Sequence, residues 1–332
     1  MKNKSNPSKT GGTVVLFELL LKELTKKGID FEVIDTLKDN YPNTLSAYFS
    51  ISLQLIRKIR HYEYISLHAT TNSLIAIGPV MILLAKIFKR KTSIRKFAGN
   101  LHEIYENTYF IKRYIINYVL KNSTINFFET KYLVKYFSQF NTHTYWFPNV
   151  RETTLSPVIP RKYKKKFVYI GTINEEKGIE QIIEVSTKLS DDITLDLYGP
   201  IIDKKYSDVM FKKKDINYKG QLESKDVIAV MNKYDILILP SYREGYPGVI
   251  IEAFSLGIPS ISTKLDGIME MIENKKNGIL INVKNSKELE KEIINMNELK
   301  YTQLSKNAYI SFNDYESKKQ TNLFLQRVYS VC

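Results

Sequence analysis

Cysteine and paired histidines are scarce in this chain of 332 residues. Its one cysteine, Cys332, is the last residue, which excludes a disulfide framework and a cysteine-based metal cluster. The four histidines show no paired ligand spacing. We therefore expect a protein that uses neither a metal nor another cofactor.

Long apolar runs are also lacking. Residues 1–10 are polar and contain no apolar core of a signal peptide. The longest apolar run, Leu74–Ala85, is interrupted by Gly78 and Pro79 and is too short to span a bilayer. These absences predict a cytoplasmic protein.

Acidic residues are few in the first half of the chain. Residues 1–150 carry 21 Lys or Arg against 10 Asp or Glu, whereas residues 151–332 carry 28 against 25. Such a basic half indicates either an anionic partner or a solubilising surface. Aromatic residues stand beside the basic ones in Tyr109–Tyr114 and Lys131–Phe137, which is typical of interfacial helices. We expect an anionic membrane surface as a partner and no nucleic acid, since no RNA-binding signature is present.

Short β-branched runs alternate with helical stretches along the whole chain, and this pattern predicts an α/β protein with parallel sheets. The length favours two domains. We predict two Rossmann-like, doubly wound domains facing a central cleft: residues 1–150, residues 151–310, and a C-terminal helix over 311–332 that packs back on the first domain. The predicted strands of the first half are Phe31–Asp35, Tyr64–His68, Lys91–Lys96, Thr124–Glu129 and Thr142–Phe147; those of the second are Phe167–Ile170, Thr194–Tyr198, Ile216–Lys219, Ile236–Leu239 and Ser260–Thr263.

The first domain lacks one expected element. Gly11 and Gly12 precede a predicted helix, Val14–Lys27, and resemble the turn that follows a first strand. Residues 2–10 contain no apolar run that could form that strand. Either the true start codon lies upstream or the first sheet is one central strand short, and we favour the upstream start.

The most informative motif is Ser241–Phe254. A buried strand, a Gly- and Pro-containing loop and a helix follow one another there, and the carboxylates Glu244 and Glu252 stand eight residues apart. Backbone N–H groups and the positive end of the helix dipole favour an anion at such a place. The segment therefore predicts a phosphate site with a carboxylate on each side.

The same residues carry a family resemblance. The two glutamates lie in the setting Pro-Ser-x-x-Glu-Gly-x-Pro, and similar matches extend over most of the chain. The chain resembles the retaining glycosyltransferases of group 1 (family 4), which have the GT-B fold. The further matches are Gly11-Gly12, Pro148-Asn149, Gly171, Lys177-Gly178, Tyr198-Gly199, Gly220, Gly267 to Glu270 and Asn277–Leu280.

The resemblance assigns roles to the residues of a donor site. Lys177 would stabilise the departing nucleoside diphosphate, Glu252 would bind the ribose hydroxyls, and Glu244 would lie near the transferred sugar. No metal is required in this resemblance, because the lysine and the helix dipoles neutralise the diphosphate. The donor-binding set is Gly171, Thr172, Lys177, Tyr198, Gly199, Glu244, Gly245, Tyr246, Pro247, Gly248 and Glu252.

One residue departs from the family pattern. The family has an arginine directly after the glycine that corresponds to Gly171, as a second phosphate clamp, and this chain has Thr172. Lys264 or Arg95 are the candidates for the missing cation. On the acceptor side, His102 is a candidate polar contact or proton acceptor, or a plain loop histidine. The acceptor-side set is Gly11, Gly12, Arg95, Gly99, Asn100, His102 and Glu129.

The resemblance implies a retaining hexosyltransferase that moves a hexose from a nucleoside-diphosphate sugar to a hydroxyl of a lipid-linked glycan. Bacterial surface polysaccharide (O-antigen, capsule or exopolysaccharide) is the expected pathway, and peripheral association with the inner face of the membrane is the expected location. The alternatives are a GT-B sugar-nucleotide epimerase or hydrolase and a non-catalytic nucleotide-sugar-binding subunit.

Overall fold

The computed structural model describes residues 12–36, 40–97, 99, 101–153, 155–213 and 216–331. The chain divides into two compact units. The first unit combines Met1–Asn149 with Ser317–Cys332, and the second is the continuous segment Val150–Glu316. Gly11 and Asn100 of the predicted acceptor side, and the question of a strand at residues 2–10, lie outside the described residues.

Helices and strands alternate through both units. In the first unit they are α1 (Gly12–Lys26), α2 (Thr44–Lys58), β1 (Tyr64–Ala69), α3 (Thr71–Ile87), β2 (Lys91–Lys96), α4 (Leu101–Glu106), α5 (Phe110–Asn122), β3 (Ile125–Phe128), α6 (Lys131–Phe137) and β4 (Thr144–Trp146). In the second they are β5 (Lys166–Ile170), α7 (Ile179–Ser186), β6 (Thr194–Tyr198), α8 (Asp208–Lys213), β7 (Asn217–Tyr218), α9 (Val227–Met231), β8 (Ile236–Leu239), α10 (Gly248–Ser255), β9 (Ser260–Thr263), α11 (Asp266–Met269), β10 (Gly278–Ile281), α12 (Ser286–Ile294) and α13 (Glu298–Phe312). The last helix, α14 (Ser317–Tyr329), belongs to the first unit.

The first unit has a parallel sheet in the order β1-β2-β3-β4. Every connection runs in the same direction across this sheet, so right-handed crossovers place α3, α5 and α6 on one face. Their apolar sides, together with that of α2, bury Ile51, Met81, Val119 and Phe137 against the sheet.

The predicted strand Phe31–Asp35 is wrong. Residues 31–36 join no ladder of the described sheets. Their alternating apolar pattern fits a half-buried strand, but Val33 is exposed in the structure. A strand also needs a neighbouring strand to pair with its backbone N–H and C=O groups, and the described sheets provide none for this segment.

The second unit has a six-stranded parallel sheet in the order β10-β9-β8-β5-β6-β7. Its central strands are buried on both faces, and Ile236–Leu239 and Phe167–Ile170 accordingly read as unbroken apolar runs. Strand order reverses between β5 and β8. Ligands of doubly wound sheets bind at the carboxyl ends of strands at such a switch point. A strand at β10 is not among the predicted elements.

The segment 311–332, for which one helix is predicted, contains one helix, α14, preceded by the last two residues of α13. Helix α13 continues to Phe312 and packs on α10, whereas α14 begins at Ser317 and packs on α1. Phe324 of α14 stacks on Phe147, with 5.5 Å between ring centroids, and contacts Phe127 at 5.1 Å. The last helix therefore contributes one aromatic side chain, Phe324, to the core of the first unit.

Candidate functional site

The turn between β5 and α7 positions Lys177. The Asn174 side chain accepts a hydrogen bond from the backbone N–H of Lys177 over 3.0 Å and caps a short 3₁₀ turn, Glu175–Lys177. Gly178 then adopts a φ of 71°, and a Cβ there would lie 2.1 Å from the carbonyl oxygen of Pro240. The turn passes so close to the end of β8 that only glycine fits.

Glu244 meets Lys177 at the carboxyl ends of these two neighbouring strands. The Nζ atom of Lys177 lies 2.6 Å from Oε1 of Glu244, and the Ser241 hydroxyl donates to the same oxygen over 2.8 Å. The backbone N–H of Tyr242 donates to the carbonyl of Glu176 over 2.7 Å, which ties the two loops together. The fold therefore places a cation and a carboxylate in contact at the switch point of the second sheet.

Glu252 lies one turn inside α10 and has a partner that the sequence did not indicate. Nε of Arg151 lies 2.7 Å from Oε1 of Glu252, and both side chains are about four-fifths buried, with 18% and 19% of their surfaces exposed. Another guanidinium N–H donates to the carbonyl of Val150 over 2.9 Å. Arg151 stands in the segment that looks like an interdomain linker, and no motif marks it.

Gly248, the first residue of α10, leaves room for that guanidinium. A Cβ on Gly248 would lie 2.0 Å from Nη2 of Arg151. The guanidinium is therefore held directly against the start of α10, where the helix dipole is positive and anions are favoured. This end of α10 combines backbone N–H groups, an arginine and the carboxylate of Glu252.

The other predicted donor residues surround the same strand ends. Backbone hydrogen bonds hold Gly171 to Tyr198 (3.1 Å) and Gly199 to Gly220 (2.9 Å), and the carbonyl of Thr172 accepts from the Tyr169 hydroxyl (2.7 Å). The hydroxyl groups of Tyr198 and Tyr246 pair with other tyrosines and not with Lys177 or Glu244. Their hydroxyls hydrogen-bond those of Tyr234 and Tyr315 over 3.0 and 3.3 Å. Gly245 and Pro247 form the loop that leads into α10.

The two candidates for the missing phosphate clamp differ in their surroundings. Lys264 is exposed after β9 and donates to Asn282 over 3.1 Å. Arg95 as a clamp is wrong, because its side chain is fully buried inside the first unit. Its guanidinium carbon lies 3.7 Å from the ring centroid of Phe147, and Nη2 donates to the carbonyl of Pro148 over 3.2 Å.

The predicted acceptor side belongs to the first unit. Gly12 begins α1, and Gly99 lies in a turn after β2. His102, on α4, is half-buried, with its ring edge-on to Tyr132 at 4.6 Å. Glu129 is buried where β3 ends, and its backbone carbonyl accepts from the Trp146 indole over 2.9 Å.

Burial shifts the pKa values of two neighbouring cations at the end of β2. It lowers the pKa of Arg95 to about 10 and that of Lys96 to about 8. The nearby charge of Glu129 acts in the opposite direction on both and offsets part of the effect. These cations and this carboxylate therefore form a buried, charge-coupled group.

Comparison with known proteins identifies the second unit. Residues 151–311 match the profile of the family described as Glycosyl transferases group 1. A diphospho-undecaprenol-directed N-acetylgalactosaminyltransferase of Campylobacter jejuni is 29% identical over 35% of this chain and 31% of its own length. The capsular polysaccharide biosynthesis glycosyltransferase CapM of Staphylococcus aureus is 27% identical over 34% of this chain and 31% of its own. The matched part of this chain thus spans about a third of either relative.

The fold of the whole chain has solved counterparts. HepE of Anabaena, crystallised in complex with UDP, superimposes with a TM-score of 0.75 over 98% of both chains at 15% identity. At that identity the likeness concerns the fold, which is GT-B, with two parallel-sheet units as predicted.

Proposed function

We propose that this chain, whose second unit matches the group 1 glycosyltransferases, transfers a hexose from a nucleoside-diphosphate sugar to a hydroxyl of a lipid-linked glycan with retention of configuration. The observation that carries the proposal is the contact of Lys177 with Glu244 at the switch point of the sheet. An ammonium there can neutralise the departing diphosphate, and the carboxylate can support positive charge at the anomeric carbon.

In the proposed reaction the bond between the anomeric carbon and the diphosphate oxygen breaks, and a bond from that carbon to the acceptor oxygen forms. The diphosphate leaves with the electron pair, held by Lys177 and the start of α10. The acceptor hydroxyl loses its proton, for which His102 is the predicted acceptor. Glu252 binds the ribose, with Arg151 fixing the orientation of its carboxylate.

Two of the comparisons support the choice of substrates. HepE binds UDP, so a UDP-sugar is the first donor to test. The Campylobacter relative is named for a diphospho-undecaprenol acceptor, and CapM for capsular polysaccharide, so an undecaprenyl-diphosphate glycan is the corresponding acceptor and bacterial surface polysaccharide the pathway. Such acceptors are presented at the cytoplasmic face of the membrane, which is the proposed location.

The test measures release of UDP from a panel of UDP-sugars, with and without membrane extract as the acceptor source. Transfer predicts release that depends on the extract and an anomeric configuration in the product equal to that of the donor. Glu244→Gln and Lys177→Met should each lower the rate by roughly a hundredfold or more. Lys276→Met, at an exposed ion pair with Glu273, is the matched control and should not change it.

The outcomes separate the alternatives. Release without any acceptor would indicate a hydrolase or epimerase, and nucleotide binding without turnover would indicate a binding subunit. Equal turnover by the wild type and both site variants would show that Lys177 and Glu244 are not the catalytic pair.

A further inference from the structure

Three helices of the first unit form a layer whose outer surface is unusual. Helix α3 packs against α2 on one side and α5 on the other, and all three cover the same core. We call them the outer helix layer. Their sequences contain no Asp or Glu, and their basic residues are Arg57, Lys58, Lys86, Lys112, Arg113 and Lys121.

Large apolar side chains stand on the solvent side of this layer. On α2 they recur at helical spacing, opposite the buried Ala47, Ile51 and Leu55. Leu45 is 82% exposed and Phe49 72%. The complete set on the three helices is Leu45, Phe49, Leu53, Ile56, Leu83, Ile87, Phe110, Ile111 and Tyr114.

We propose that the outer helix layer docks on an anionic lipid bilayer. Exposed Leu, Ile and Phe side chains enter the boundary between headgroups and acyl chains, while Lys and Arg remain at the level of the phosphates. Aromatic residues such as Tyr109 and Tyr114, at the start of α5, suit this boundary because one end of the ring is apolar and the other polar. The lack of carboxylates removes repulsion from anionic headgroups.

The composition of the layer disfavours two other occupants. A second copy of this chain, joined by a twofold axis, would place two all-basic surfaces against each other. A nucleic acid would pair with the Lys and Arg residues, but the exposed aliphatic residues of α2 and α3 offer no stacking surface for bases. An anionic bilayer can pair its headgroups with the basic residues and bury the exposed apolar side chains. None of the helices that the structure describes has the length and hydropathy of a membrane span.

This docking surface deepens the proposed function, because it would bring the enzyme to a lipid-linked acceptor. Its test needs no sugar transfer. The full chain is sedimented with vesicles of phosphatidylcholine alone and of phosphatidylcholine mixed with phosphatidylglycerol. We expect binding to the mixed vesicles that weakens with added salt. Transferase activity without vesicle binding would overturn the docking proposal and leave the proposed reaction standing. Vesicle binding without transferase activity would overturn the proposed reaction and leave the docking proposal standing.

Two paired variants test the surface itself. Leu45→Ser/Phe49→Ser should weaken vesicle binding by about tenfold or more, because two apolar anchors are lost. Lys112→Glu/Lys121→Glu should weaken it at least as much, since each basic residue near an anionic surface contributes roughly fivefold. The matched controls lie in the second unit and should bind as the wild type does: Leu299→Ser/Ile202→Ser, at residues 82% and 61% exposed, and Lys225→Glu/Lys276→Glu.

All these positions are exposed or at ends of helices, so the variants should remain folded, and circular dichroism checks this. Equal vesicle binding by the wild type and the layer variants would overturn the proposal. The proposal would also be overturned if the wild type did not bind vesicles but retained RNA or formed dimers, and the layer variants lost that property.

Discussion

Arg151 and Glu252 are 101 residues apart in the sequence and form an ion pair of 2.7 Å at the start of α10. Both side chains are about four-fifths buried, and the cost of removing the two charges from water offsets much of their attraction, so the net contribution of the pair to stability is modest. Its larger effect is geometric, because the guanidinium fixes the rotamer of a carboxylate predicted to bind ribose. Arg151 also supplies a cation beside a helix N-terminus, in a chain that has Thr172 where the family it resembles has arginine.

Arg151→Gln should weaken UDP binding by about tenfold, because a carboxylate without its partner is less well oriented and a cation near the diphosphate is lost. Isothermal titration calorimetry on the wild type, Arg151→Gln, Glu252→Gln and the double variant measures the effect. We expect the two single losses to be non-additive by about 1 kcal/mol. Fully additive losses would show that the two residues act on the nucleotide independently.

Two glycine substitutions should have opposite profiles. In Gly248→Ala the new methyl meets only the mobile end of Arg151, so stability should change by less than about 1 kcal/mol while UDP binding weakens as in Arg151→Gln. In Gly178→Ala the methyl meets the rigid carbonyl of Pro240 at a φ of 71°. That variant should lose more than about 2 kcal/mol of stability. Urea unfolding followed by circular dichroism provides the comparison, and equal losses for the two would contradict it.

Phe324→Ala should destabilise the first unit by about 3 kcal/mol, because it removes a buried ring that packs on Phe127 and Phe147. The chain contains one tryptophan, Trp146 in β4, so its fluorescence reports unfolding of this unit. The neighbouring Leu323→Ala, at a residue 38% exposed, is the control and should cost less than about 1 kcal/mol. Equal unfolding midpoints would show that α14 contributes little to the first unit.

The first unit should become more stable as the pH rises from 8 to about 10. Lys96 has a pKa of about 8 in the fold against an ordinary 10.5. In that window the unfolded chain binds the proton and the folded chain does not, so deprotonation favours folding. The gain should be on the order of 2 kcal/mol and should disappear in Lys96→Met. The exposed Lys91→Met, on the same strand, should retain it, and an unchanged slope in Lys96→Met would assign the effect to other groups.

The sequence predicted most strands of both units, but it missed β10 and placed a strand at Phe31–Asp35 that the structure does not have. Strands β5 and β8 are buried on both faces, so they read as short apolar runs with clear ends. Their predicted bounds, like those of β6 and β9, agree with the structure to within a residue. Phe31–Asp35 shows an equally regular pattern but pairs with none of the described strands, and sequence periodicity does not reveal whether a partner strand is present.

Some residues of the candidate site could likewise be predicted from the sequence, and others could not. Lys177, Glu244 and Glu252 follow strands in recognisable turns, and the structure brings the first two into contact. Arg151 has no motif, and only the folded chain shows that it reaches Glu252. Arg95 lies near the end of a strand, where a residue that contacts a ligand in a cleft is expected, yet its side chain packs against aromatic rings in the core. Direction and burial of a side chain after a strand depend on tertiary packing.

The first unit is built from two stretches of chain separated by the whole of the second. During synthesis the second unit is complete once Glu316 has left the ribosome, whereas the aromatic core around Phe147 lacks Phe324 until α14 emerges. The part of the protein made first is therefore the part finished last. Until then the surface that α14 will cover is open to solvent and to chaperones, while the second unit can already fold.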